Sequence, residues 1–142
     1  MKTPRFILAL LALTVALALQ LPKTASAQPH RQKYSARLIS PRAGEVLVPG
    51  QVVRIAWTAN FPGVDLTMCE TEVLLSLDGG RTIYMRLTES RNPTLQYFDW
   101  TVPNTPTNEA VLDIRFGCLN IYPETRSVQI RSAFVIGPAV NN

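Results

Sequence analysis

The chain has 142 residues, with 14 Lys and Arg against 10 Asp and Glu. Three of the basic side chains lie in the first 27 residues, so the remaining 115 residues carry 11 basic and 10 acidic side chains, a net charge of +1. Nucleic-acid binding needs a basic stripe on a folded face, and the sequence shows only a weak basic cluster at Arg31, Lys33, Arg37 and Arg42. No nucleic-acid partner is therefore predicted. A chain of this length suits one domain with a core of its own.

The first 27 residues have the three-part layout of a secretory signal peptide. A basic start precedes an apolar run from Phe6 to Leu19, and Ala25-Ser26-Ala27 places small residues at positions −3 and −1 of a cleavage site. The apolar run is 14 residues long, shorter than the roughly 20 that a helix needs to span a bilayer. A membrane anchor is the alternative that this length disfavours. The sequence predicts cleavage after Ala27, a secreted or periplasmic protein, and no membrane span in the mature chain.

Eleven prolines and seven glycines divide the chain into short β-branched and aromatic runs, without a sustained helical period. Such runs, separated by turn residues, predict an all-β sandwich or barrel. We expect residues 28–35 to form a flexible lead-in, residues 36–137 to form one domain and residues 138–142 to form a short tail. The predicted strands are 36–40, 45–48, 51–58, 70–77, 81–87, 94–102, 109–117 and 127–136.

The side-chain alternation within these strands indicates which faces are buried. Val53, Ile55 and Trp57 share one face at period two, so we expect Trp57 to be a core aromatic, the alternative being a surface binding residue. In the last strand, residues 128, 130, 132 and 134 alternate with Gln129, Arg131 and Ala133 and so share one face. Asp78-Gly79-Gly80 predicts a hairpin turn, because this turn needs residues that tolerate positive φ. Seven or eight strands without a helix indicate two packed sheets.

The two cysteines predict a pairing of two strands. Cys69 opens one strand and Cys118 ends another, so an antiparallel arrangement places them side by side. Export to an oxidising compartment favours a structural disulfide. The alternative of free or redox-active thiols lacks a close Cys-x-x-Cys spacing.

The hydrophobic pattern supports the same register. Pairing Cys69 with Cys118 sets Val73 opposite Ile114 on an apolar face and Glu72 opposite Arg115 on a polar face, where we expect a cross-strand ion pair. A slip of one residue would place Val73 opposite a charged side chain. The cysteines and the apolar pattern therefore predict one register.

The sequence gives little indication of catalysis. Nucleophilic catalysis needs a base beside Ser, Cys or Thr, and the only histidine, His30, falls in the predicted lead-in. Carboxylates such as Glu72 and Asp99 leave a hydrolase as a distant alternative, although no spacing singles out a pair. Calcium at Asp65 or Asp78 would lack the D-x-D-x-D-G run of ligands. We therefore predict a non-enzymatic protein with no catalytic residue, metal or cofactor.

Four segments resemble a known family of extracellular domains. The segments are residues 40–51 (SPRAGEVLVPGQ) with Ile55-Ala56-Trp57, residues 76–82 (SLDGGRT), residues 97–103 (YFDWTVP), and Phe134-Val135-Ile136. Together they are similar to the Kre9/Knh1-like N-terminal Ig-like domain and its bacterial relatives, over residues 38–136. Residues 76–82 also resemble the Asp-box, a hairpin device of sialidase-type propellers that is not catalytic.

The resemblance implies an Ig/fibronectin-III-like β-sandwich of seven or eight strands on a secreted or surface protein. In fungi the family is linked to cell-wall glucan assembly, and no catalytic or ligand residues carry over from it. The cysteine pair departs from the family pattern.

These observations lead to a hypothesis of a secreted, non-enzymatic module that binds an envelope polysaccharide or a protein partner. The candidate ligand contacts are loop residues Phe61, Asp65 and Tyr122, together with Tyr97, and packing or ordinary surface exposure is the alternative for each. A structural or chaperone-like accessory subunit of a surface assembly, pairing through the edge near Glu45–Val48, is the alternative function. The ligand itself is not specified by the sequence.

Overall fold

A computed structural model describes residues 33–139, which contain nine strands and two short 3-10 turns. The turns span Leu66–Met68 and Ile130–Ser132. The strands are β1 (Ser35–Ser40), β2 (Val46–Leu47), β3 (Val52–Asn60), β4 (Cys69–Ser76), β5 (Met85–Arg86), β6 (Tyr97–Thr101), β7 (Thr107–Cys118), β8 (Tyr122–Thr125) and β9 (Phe134–Ile136). The predicted signal peptide and most of the predicted lead-in lie outside the described residues.

The strands form two sheets packed face to face. One sheet has three antiparallel strands in the order β1-β3-β6, and the other has the order β2-β9-β7-β4-β5 with β8 added beside β7. The predicted all-β, Ig/fibronectin-III-like sandwich is confirmed, although residues 33–139 form nine strands where seven or eight were predicted. Because β7 is the longest strand and pairs with β4, β8 and β9, it is the central strand of the larger sheet.

The core lies between the two sheets. Ile55, Trp57 and Trp100 of the three-stranded sheet meet Leu112 and Phe134 of the larger one, and each is at most 7% exposed. The prediction that Trp57 is buried is confirmed, at 2% exposure. Each such side chain contributes about 1.5–3 kcal/mol of transfer free energy when it is removed from water.

The predicted register between β4 and β7 is confirmed at every described pair, from Cys69 opposite Cys118 to Ser76 opposite Val111. The cysteines form a disulfide, and their Cα atoms are 4.0 Å apart. The amide of Leu119 donates to the carbonyl of Met68 (3.3 Å). Since hydrogen-bonded and non-hydrogen-bonded pairs alternate along an antiparallel ladder, the cysteines occupy a non-hydrogen-bonded pair, where facing side chains are closest.

The predicted Glu72–Arg115 ion pair on the outer face is wrong. Glu72 instead accepts from Arg86 (2.8 Å), and Arg115 donates to Asp113 (2.9 Å) and Glu124 (2.7 Å). The reason is that this face is covered, with Asp113 only 1% exposed. A buried carboxylate needs nearby donors, so Asp113 also accepts from Arg126 and from the backbone amide of Ser127.

The predicted last strand, residues 127–136, is wrong over most of its length. Only Phe134–Ile136 is a strand, and Ile130, predicted to share a strand face with the buried Phe134, is 63% exposed in a 3-10 turn. The segment is diverted because Ser127 and Gln129 use their side chains to bond the backbone of β1. Tertiary hydrogen bonds here override the alternating pattern.

Other boundaries shift by smaller amounts. The predicted strand 81–87 shortens to Met85–Arg86, and β1 begins at Ser35. Tyr34 was placed in the flexible lead-in, but it is 5% exposed and stacks on Phe116 with ring centroids 4.9 Å apart. The domain therefore begins before residue 36.

The predicted hairpin turn at Asp78-Gly79-Gly80 is confirmed, since both glycines have positive φ (72° and 90°) and β4 pairs with β5. The Asp78 carboxylate accepts from the backbone amide of Thr82 (2.9 Å), from its hydroxyl (2.7 Å) and from the Ser76 hydroxyl (2.7 Å). The hydroxyl and amide of Thr82 hold the pKa of Asp78 well below its usual range, with a further contribution from Ser76.

We expect replacement of both cysteines by serine to lower the free energy of unfolding by up to about 4 kcal/mol, because the disulfide closes a loop of about 50 residues in the unfolded chain. Urea unfolding of the oxidised protein and the double variant measures the difference. The oxidised protein with reductant added is the control, and a midpoint that does not change would contradict the prediction.

We expect the stability of the folded chain to fall as the pH drops below the ordinary Asp pKa of 3.8. The folded-state pKa of Asp78 is depressed, so its contribution is present above the unfolded value and is lost as pH falls towards the folded value. Asp78→Asn should therefore lose less stability than the wild type between neutral and acid pH. Thermal melting at several pH values, with the exposed carboxylate variant Glu89→Gln as control, tests this. Parallel pH curves for wild type and Asp78→Asn would contradict it.

Candidate functional site

Two loops meet at the end of the sandwich that carries the disulfide. One is the segment 61–68, which leads into β4, and the other is the turn 119–121, which joins β7 to β8. The Cys69–Cys118 bond and the hydrogen bond from the Leu119 amide to the Met68 carbonyl join the two loops at their bases. Loops that a rigid scaffold holds in this way are the usual position of a binding site on a β-sandwich.

Phe61 and Tyr122, two of the predicted ligand contacts, lie together under these loops. The prediction that Tyr122 lies in a loop is wrong, because it is the first residue of β8. Both are half-buried against Phe116, with ring centroids 5.1 and 5.6 Å away, and Phe61 also stacks on Tyr34. The Tyr122 hydroxyl accepts a hydrogen bond from the Tyr34 amide (3.1 Å). The two aromatic rings are therefore part of a second, smaller core that supports the loops. Burial and the nearby Asp113 raise the pKa of Tyr34 well above its usual range.

Asp65, the third predicted contact, organises the first loop. Its carboxylate accepts from the backbone amide (3.0 Å) and the hydroxyl (2.7 Å) of Thr67, which caps the turn Leu66–Met68. These bonds hold the pKa of Asp65 below its usual range. The cap fixes the turn that carries Met68 at the edge of the loop.

Tyr97, the fourth predicted contact, lies on the outer face of the three-stranded sheet, away from the loop residues in the fold. It is 51% exposed, and the Arg54 guanidinium lies 4.8 Å from its ring centroid. Arg54 also forms a bidentate pair with Asp99 (2.9 and 3.0 Å), which lowers the pKa of that carboxyl. The structure thus brings together Phe61, Asp65 and Tyr122 and separates Tyr97 from them.

The most exposed apolar side chains at this end are not among the predicted ligand contacts. Met68, Leu119 and Ile121 are 53%, 70% and 49% exposed, and we call these three residues the disulfide-end patch. The signal in the sequence was the presence of large apolar residues in turns directly beside the two cysteines. Such turns are normally polar.

A shallow groove adjoins the patch and runs over the disulfide. Its volume is about 520 Å³, and its lining includes both cysteines, Glu70, Tyr122 and Glu124. The groove therefore combines an apolar side with carboxylates. No group of three or more His, Cys, Asp or Glu side chains is placed to hold a metal ion anywhere in residues 33–139. The single histidine, His30, lies outside the described residues.

No protein-family model, curated protein or solved structure matches the chain. Among the described residues, no helix has the length and apolar character needed to cross a membrane.

We expect Phe61→Ala to lower the free energy of unfolding by about 2 kcal/mol, since the half-buried ring supports the second core. Tyr97→Ala, which removes an exposed ring from the sheet surface, should change it by no more than about 0.5–1 kcal/mol. Chemical denaturation of both variants separates a structural aromatic from a surface aromatic. Equal losses in the two variants would contradict this assignment.

Proposed function

We propose that this chain is a secreted, non-enzymatic Ig-like module that binds a protein partner of the cell envelope through the disulfide-end patch. The observation that carries the proposal is the exposure of Met68, Leu119 and Ile121 on two loops whose bases are covalently joined. Exposed apolar groups that lie together on a rigid surface are typical of interaction sites. Pre-organised loops lose little conformational entropy on binding.

The chemistry of the patch favours a protein over a polysaccharide at this end. A surface without exposed basic side chains would recognise sugar rings by stacking on flat, exposed aromatic side chains, whereas Phe61 and Tyr122 are half-buried in the second core. Methionine is enriched in the centres of protein interfaces. The carboxylates of Glu70 and Glu124 border the groove. A partner surface with an apolar centre and a basic rim would complement this arrangement.

The compartment and the family are part of the proposal. The leader-like residues 1–27 support export with cleavage after Ala27, and the disulfide fits an extracellular or periplasmic protein. The resemblance to the Kre9/Knh1-like N-terminal Ig-like domain remains a prediction. It agrees with the sandwich, which is compatible with many functions.

The alternative function, an accessory subunit that adds a strand to a partner, draws on a different edge from the one predicted. The Glu45–Val48 segment contributes only the two-residue strand β2, which already pairs in parallel with β9. The Val102 amide donates to Gln51 and the Trp57 amide donates to Gln96. By alternation along this ladder, the backbone groups of residues 97, 99 and 101 point away from β3. The outward backbone groups at the edge of β6 therefore support the accessory-subunit alternative. A hydrolase remains the third hypothesis.

The test is retention of an envelope protein on immobilised, oxidised protein comprising residues 28–142. We expect the wild type to retain one protein. The double variant Leu119→Ser with Ile121→Ser should lower the retained amount at least about tenfold, because the centre of the interface is lost. Val46→Ser with Val52→Ser is the matched control, since Val46 and Val52 are 62% and 68% exposed on other surfaces. Retention that is unchanged by the patch variant, or enrichment of sugar alone, would contradict the proposal.

A separate variant tests strand addition. Thr101→Pro removes an amide that points away from β3 and costs no ladder hydrogen bond within the domain. Loss of the partner in this variant, with retention in the patch variant, would assign the interaction to the β6 edge and to the accessory-subunit function.

A further inference from the structure

A groove follows the outer edge of β1, on the side opposite β3. The segment 127–132 forms its far wall, and its lining includes Arg37, Gln129, Ile130 and Arg131. A second depression, lined by Ile39, Arg42 and the turn 43–45, lies farther along the same strand. The Gly44 amide donates to the Ala133 carbonyl (2.8 Å) and joins this turn to the end of the segment that forms the far wall. We call the two depressions together the β1 groove.

The backbone edge of β1 is not available to a ligand. The Ala36 amide donates to the Ser127 hydroxyl (3.0 Å), and the Leu38 amide donates to the Gln129 side-chain carbonyl (3.0 Å). The Ala36 carbonyl accepts from the Gln129 side-chain amide (3.1 Å). Gln129 is 8% exposed. A ligand in the groove therefore meets side chains, and strand addition at this edge is excluded.

Three of the side chains that line the β1 groove are basic and form no ion pair within the described part of the chain. Residues 33–139 carry ten basic and ten acidic side chains, yet none of the ion pairs formed among them involves Arg37, Arg42 or Arg131. All three are exposed. The one carboxylate in the lining, Glu45, accepts from the Arg42 backbone amide (2.7 Å). Residues 33–139 have a net charge of zero, whereas the lining of the β1 groove has an excess of positive charge.

Two exposed isoleucines lie beside these arginines. Ile39 and Ile130 are 53% and 63% exposed and line the two depressions. The strand beside the two depressions has six residues and is about 20 Å long, so the depressions are spread along an extended edge. This shape suits a linear polymer better than a small anion.

We propose that the β1 groove binds an anionic polysaccharide. The guanidinium groups of Arg37 and Arg131 would pair with carboxylate or phosphate groups of the polymer, as bidentate donors. The isoleucines would contact the apolar faces of its sugar rings. The β1 groove shares no residue with the disulfide-end patch, so polysaccharide binding can be tested independently of the proposed protein binding. Together, the two sites would link a protein to the envelope polymer.

Binding is tested with the full mature chain, residues 28–142, oxidised. Polygalacturonate supplies carboxylates, a polyglycerol phosphate supplies phosphates and dextran is the neutral control. We expect one or both anionic polymers to bind and dextran not to bind, with an affinity that falls as salt is raised. The arm that binds identifies the anionic group. Absence of binding to both anionic polymers at low salt would overturn the proposal.

Variants locate the binding on the molecule. Arg37→Gln with Arg131→Gln should lower the affinity at least about tenfold, because two charge-assisted contacts are lost. Arg54→Gln with Arg81→Gln is the matched control, since it removes the same charge from two exposed arginines that pair with Asp99 and Glu109 elsewhere. An equal loss in the control would overturn the proposal. So would binding of oligothymidylate, or of phosphatidylglycerol vesicles, as tightly as the polysaccharides and with the same sensitivity to the groove variant.

Discussion

The antiparallel pairing of β4 with β7 brings Cys69 opposite Cys118, and the arrangement of the disulfide end follows from this register. The same pairing turns Val73 and Ile114 into the core. A shift of one residue would reverse the faces of both strands. The covalent bond and the buried apolar face therefore specify the same alignment by independent means. The loops on either side of the bond inherit their positions from it.

Buried polar contacts stabilise the outer face of the β4–β7 pair. Asp113 is 1% exposed and accepts from Arg115, from Arg126 and from the Ser127 amide. Removing both guanidinium donors would leave this buried charge without a cationic partner. The network fixes the segment that begins at residue 126 against β7. Its next residues then reach β1, so one buried carboxylate helps to position the wall of the β1 groove.

Local pattern and long-range contact determine different parts of this fold, which explains what the sequence could predict. The β4–β7 register was predictable because two cysteines and an apolar alternation agreed. The Asp78 turn was predictable because its chemistry is local. The path of residues 127–133 was not, since Gln129 bonds a strand 91 residues earlier in the chain. The partner of Arg115 was also missed, because a sequence does not show that Asp113 is buried.

The candidate site was predicted in the same partial way. Phe61 and Asp65 were correctly placed in a loop, whereas Tyr122 is the first residue of β8, and the structure gives each of the three a supporting contact within the domain. The exposed members of the same loops, Met68 and Leu119, were not selected, because a large apolar residue in a sequence is first assigned to the core. Exposure is a property of the assembled loops and not of the residue type.

The two edges of the three-stranded sheet differ in a way that limits assembly. Side chains of Ser127 and Gln129 bond the outward amides of Ala36 and Leu38 and the Ala36 carbonyl of β1, whereas the backbone groups of residues 97, 99 and 101 in β6 point away from β3. The sheet is therefore sealed along the β1 edge, where backbone groups are already bonded, and open along the β6 edge. It can accept one additional strand, at the open edge. Growth through β6 then ends with a single partner, because the sealed edge offers no template for the next molecule. Through this sheet, the architecture permits pairing and prevents an open-ended fibre.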